Sequence, residues 1–128
     1  MGAEMIQSFV VIVGAIALFS QAQASDQKPW DDSFRPLKGE YLIYSGTLNE
    51  SQQPTRNDRK VSFKVTGQVA KDLFDSMYPD EKKTCTNMEG YRERRKREVF
   101  CTYDPQDGYA CYFGFDLRSG KSVGGASC

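Results

Sequence analysis

The sequence predicts an α+β domain: a small antiparallel β-sheet of about five strands, ending in a C-terminal meander, with one amphipathic helix packed on it and two disulfides. Three observations carry that prediction. Segments rich in β-branched and aromatic residues recur between turn signals from residue 40 onward. A single segment, 66–77, shows helical periodicity instead. The chain holds four cysteines, Cys85, Cys101, Cys111 and Cys128, an even number confined to its second half.

The chain opens on an unbroken apolar run, Phe9–Phe19, followed by Ser20-Gln21 and the small-x-small triplet Ala22-Gln23-Ala24. That is the shape of a secretory signal peptide over residues 1–24, cut after Ala24, and the run is too short to span a bilayer as a mature helix. Glu4 lies where a positive flank is expected, which makes Met5 a candidate start. Residues 25–128 are then a single exported domain, expected to be soluble in a bacterial periplasm, with secretion from the cell as the alternative. Later apolar segments are too short to cross a membrane.

Export decides how the cysteines are read. In an oxidising compartment four of them form two disulfides, and a zinc site is disfavoured by the lack of a C-x-x-C pair and of any histidine. Small domains bury a modest core, and disulfides compensate for it.

Residues 25–38 are polar, carry Pro29 and Pro36, and read as an extended lead-in that Trp30 and Phe34 pin to the body. Tyr41-Leu42-Ile43-Tyr44 with Thr47-Leu48 predicts a strand near 40–48, and Pro54 marks a loop over 49–59. Val61, Phe63 and Val65 alternate with Ser62 and Lys64, the signature of a half-buried strand. Thr66 is placed to cap a helix whose apolar face is Val69, Ala70, Leu73, Phe74 and Met77. Lys71, Asp72, Asp75 and Ser76 form its polar face, and Pro79 ends the segment.

Residues 91–103 read as one strand. Asp104-Pro105-Gln106-Asp107-Gly108 is strong turn chemistry, residues 109–117 form the most aromatic strand, and 121–128 return as a small-residue strand after Arg118-Ser119-Gly120. A hairpin closed by 104–108 sets Tyr103 opposite Tyr109 and Cys101 opposite Cys111. Because a bond across a closed hairpin gains less than one that ties down distant segments, the expected pairing is Cys85–Cys101 with Cys111–Cys128, although three connectivities are open.

Composition argues against catalysis. Without histidine the commonest general base and metal ligand are missing, no thiolate survives disulfide formation, and no G-x-S-x-G elbow is present. The carboxylate pairs Asp31-Asp32, Asp72/Asp75 and Asp80-Glu81 are explained by a polar lead-in, a solvated helix face and a helix stop. Asp104 and Asp107 lack the calcium-loop pattern and suit a turn. No cofactor, no metal and no enzymatic activity are expected.

The most unusual local feature is Arg92-Glu93-Arg94-Arg95-Lys96-Arg97, within a stretch that also holds Lys82 and Lys83. As a strand it sends Arg92, Arg94 and Lys96 one way and Glu93, Arg95 and Arg97 the other. A cationic edge strand deters unwanted pairing, and the same arginines suit bidentate contact with a partner's anions. The residues expected at a partner-binding surface are therefore Arg92, Arg94, Arg95 and Arg97, with Tyr91, Tyr109 and Tyr112 as flat anchors. Nucleic acid is a poor partner, since 17 basic residues balance 17 acidic ones. The function expected is that of a non-catalytic exported binding protein, inhibitor-like or immunity-like, that engages a protein partner in the bacterial envelope. The alternative is an envelope accessory protein whose cationic strand binds anionic polymer or lipid headgroups. Asn49-Glu50-Ser51 is a glycosylation acceptor only in a eukaryotic secretory path.

Overall fold

The computed structural model describes residues 30–128, so the expected signal peptide over 1–24 lies outside the described residues. Residues 30–33 belong to one compact unit and Phe34–Cys128 to a second, which carries every regular element described. Trp30 and Phe34, expected to act as pins, are both solvent-exposed.

The elements are β1 (Lys38–Gly46), β2 (Ser51–Gln52), β3 (Lys60–Thr66), α1 (Gly67–Ser76), β4 (Arg92–Lys96), β5 (Val99–Asp104), β6 (Gly108–Asp116) and β7 (Ser122–Val123). They form one antiparallel sheet in the order β2-β1-β3-β6-β5-β4, with β7 also paired to β6. Since β5 pairs with β6 only as far as Tyr112, β7 takes the same side of β6 beyond it, at Gly114 and Phe115. The predicted α+β class holds, with six to seven strands instead of about five.

The extra strands have local causes. The segment expected as one strand over 91–103 is a hairpin, because Arg97 adopts a left-handed backbone at φ 50° and folds β4 back on β5. Asparagine, aspartate or glycine usually marks such a position, and here an arginine occupies it. Residues 49–59 include the short β2, and the expected C-terminal strand shrinks to Ser122–Val123.

At the β3–α1 junction Gly67 sits at φ 70°, a left-handed conformation that favours glycine. Thr66 is the N-cap residue with extended backbone, though its side chain makes no capping hydrogen bond. The helix then lays Ala70, Phe74 and Met77 onto Val65, Cys101 and Cys111, with Val69 and Leu73 packed around them. Phe74 is fully buried and meets Tyr109 edge-on, 5.3 Å between ring centroids. On the opposite side of the helix Gln68–Asp72 and Lys71–Asp75 pair one turn apart, as expected of a solvated face.

The hairpin register is as predicted: Cys101 stands opposite Cys111 and Tyr103 opposite Tyr109. The disulfide pairing is not. Cys101 bonds Cys111, and Cys85 bonds Cys128. Loop entropy ranks connectivities in the unfolded chain, but native proximity selects among them. With Cα atoms 4.1 Å apart, Cys101 and Cys111 are each other's nearest reach. Two disulfides fit an oxidising, extracytoplasmic compartment. Among the described residues no helix is long and apolar enough to cross a membrane.

Candidate functional site

Strand register sorts the side chains into two faces. On the helix face Val65, Cys111, Cys101 and Arg94 align in one row across β3, β6, β5 and β4. On the opposite face the adjacent row runs Glu40, Lys64, Tyr112, Phe100 and Arg95. The basic run is therefore divided by the pleat, and its two halves do different things.

Arg92 and Arg94 belong to the scaffold. Arg94 is 8% exposed, and its guanidinium lies 4.3 Å from the centre of the Phe74 ring. It donates to the Phe74 carbonyl and to Asp80, each at 2.7 Å. Arg92 donates twice to the same carboxylate, at 2.7 and 3.0 Å, and also stands over Phe74. Hydrogen bonds from the two arginines hold the Asp80 carboxyl below its ordinary value. The end of α1, the segment after Pro79 and the outermost strand are thereby locked together.

Glu93, between them in sequence, points the other way and is 3% exposed. Its carboxylate accepts from the Cys85 amide at 2.5 Å, and its carbonyl accepts from the Glu81 amide at 2.7 Å. These bonds draw the segment after α1 along the β4 edge and deliver Cys85 to the open face. There the C-terminal segment meets it. Ser62 donates to the Gly125 carbonyl at 2.7 Å, and a Cβ on Gly125 would come within 2.3 Å of the Phe113 amide nitrogen. Only glycine allows the chain to cross β6 so closely. The Cys85–Cys128 bond then closes the crossing.

The result is a hollow of about 600 Å³ on the face away from the helix. Tyr112, Phe100, Thr102 and Lys64 line it, with Tyr91 and the Cys85–Cys128 bridge also contributing. Burial, with the Glu93 carboxylate beside it, pushes the Tyr91 phenol up to about 12. Phe100 and Tyr112 stack at 6.0 Å and 28°, and Arg95 covers Phe100 at 4.4 Å. An arginine–aromatic strip thus leads into the hollow.

Of the expected partner-binding residues, Tyr91, Tyr112 and Arg95 come together on this face. Arg92, Arg94 and Tyr109 face the helix, Tyr109 packed at 4.8 Å against Tyr103, and Arg97 sits in the β4–β5 turn. Lys64 and Phe100 were missed. The alternation of β3 places Lys64 opposite Val65, but no local signal tells that β3 pairs with β6 and sets Lys64 beside Tyr112.

The carboxylate pairs are occupied otherwise. Asp80 holds two arginines, Asp72 and Asp75 hold their helix neighbours, and Asp104 accepts from the Gln106 and Asp107 amides of its own turn. Cys85, Cys128 and Glu93 bring two sulfurs and a carboxylate within 4.8 Å, but the sulfurs are bonded to each other and have no thiolate to offer a metal. Comparison with known proteins finds no matching family model, no matching curated protein and no matching solved structure.

Proposed function

We propose that this chain is a non-catalytic exported binding protein of the bacterial envelope, periplasmic and inhibitor-like or immunity-like, that docks a protein partner on its open sheet face. The observation that carries the reading is the Arg95–Phe100–Tyr112 strip beside the hollow walled by Tyr91 and the Cys85–Cys128 bridge. Arginine and tyrosine are the residue types most enriched where binding energy concentrates. A concavity closed by a covalent bond is already ordered, which lowers the ordering cost of association. The chain's composition supports recognition better than turnover, since no histidine is there to serve as a general base.

The test is capture of a partner from envelope extract by the processed, disulfide-intact chain, followed by mass spectrometry and titration calorimetry with that partner. One stoichiometric partner is expected, and the double substitution Arg95→Ala/Tyr112→Ala should weaken it by at least about 2 kcal/mol. A partner bound equally well by the folded double variant refutes the assigned face.

A further inference from the structure

The cations left over from the scaffold gather in a second place. A groove of about 470 Å³ lies between the 79–83 segment and the end of β4, lined by Lys82, Lys83, Arg95 and Lys96 together with Asp80 and Glu81. The Asp80 charge is already committed to Arg92 and Arg94. Among the described residues Lys82, Lys83 and Lys96 have no hydrogen-bonded or ionic side-chain partner, and Arg95 rests only on the Phe100 ring. Four cations against one uncommitted carboxylate make a local positive field in a chain whose overall charge is zero. We propose that this groove receives an acidic, extended segment of the protein partner, continuing the contact made by the aromatic strip through their shared residue Arg95. The inference rests on the reading that the chain binds a protein.

Two features favour a carboxylate-bearing peptide over an anionic membrane. The cations line a concavity, which an extended chain can enter and a flat bilayer reaches poorly. With no net charge, the chain lacks the general attraction to an anionic surface that a polybasic segment uses. Arg95, braced on Phe100, is pre-positioned for a bidentate carboxylate contact.

The test uses the processed, disulfide-intact chain and a fluorescein-labelled hexaglutamate peptide, read by anisotropy, with hexaglutamine and phosphatidylglycerol vesicles as comparison probes. Binding of hexaglutamate but not hexaglutamine is expected, weakening steeply with salt. Lys82→Glu/Lys83→Glu should cut hexaglutamate affinity by about tenfold or more. Lys38→Glu/Arg56→Glu carries the same charge change at exposed sites near the opposite edge of the sheet and should cost under about threefold. All four side chains are exposed, and circular dichroism confirms that the variants fold. Equal losses in the two variants, or no hexaglutamate binding, overturn the proposal. Binding to the vesicles alone overturns it in favour of a lipid site. If the wild-type chain captures a partner and Lys82→Glu/Lys83→Glu captures it as tightly, this inference falls while the proposed function stands. A wild-type chain that captures no partner overturns both.

Discussion

Replacing Arg94 with alanine should cost the domain several times what replacing its sequence neighbour Arg95 does. The substitution removes a buried hydrogen bond from a charged donor to the Phe74 carbonyl, worth about 1.5–3 kcal/mol, and leaves that oxygen with the Met77 amide alone. It removes a desolvated cation from the face of Phe74, worth about 1–2 kcal/mol. The lost bond to Asp80 adds less than about 1 kcal/mol, because that carboxylate is 39% exposed and keeps both bonds from Arg92. A total of about 3–4 kcal/mol is a large part of a small domain's stability. Arg95→Ala loses one exposed cation–ring contact, about 0.5–1 kcal/mol. Urea unfolding followed by circular dichroism, with the disulfides intact, measures both. At a urea slope of about 1–3 kcal/mol per molar, the Arg94→Ala midpoint should fall by at least about 1 M while that of Arg95→Ala moves little. Equal shifts would refute the division of the basic run into a scaffold half and a free half. Arg94→Lys should recover only part of the loss, since an ammonium cannot reach the carbonyl and the carboxylate with one rigid fork.

Phe74→Ala should cost about 3–5 kcal/mol in the same assay, against about 0.5 kcal/mol or less for Asp72→Ala on the solvated face of α1. Cys85→Ser/Cys128→Ser removes a link across 43 positions, worth about 4 kcal/mol on the loop-entropy model, against about 3 kcal/mol for Cys101→Ser/Cys111→Ser across 10. Peptide mapping of the non-reduced chain should recover Cys85 joined to Cys128, and any other linkage refutes the pairing. The Asp80 carboxyl is held below its ordinary value of 3.8, so its contribution is present above that pH and is lost as pH falls through the lowered value. Asp80→Asn should therefore flatten the acid limb of the stability–pH curve below about pH 4, and an unchanged limb would count against the two-arginine clasp.

How much of this was legible in advance depended on distance along the chain. The helix and its buried stripe could be read from residues 66–77 alone, because an α-helix is bonded within itself and its apolar period sets the face. The Cys101–Cys111 register followed from turn chemistry at 104–108, since a hairpin turn fixes which residues oppose. The break at Arg97 could not be seen. No glycine or asparagine announces it, and an arginine takes the left-handed position in the turn between β4 and β5.

The sequence by itself determined the class of fold, the helix face, the hairpin register and the presence of two disulfides, because each is set by patterns a few residues long or by composition. The tertiary structure decided which cysteines bond, which arginines are spent on Asp80 and Phe74, and which remain free in the groove with Lys82 and Lys83. It also brought Lys64 beside Tyr112 and carried the C-terminal segment across β6 to wall the hollow. Those outcomes depend on the strand order β3-β6-β5-β4, a non-local arrangement that side-chain periodicity constrains to a face but not to a neighbour.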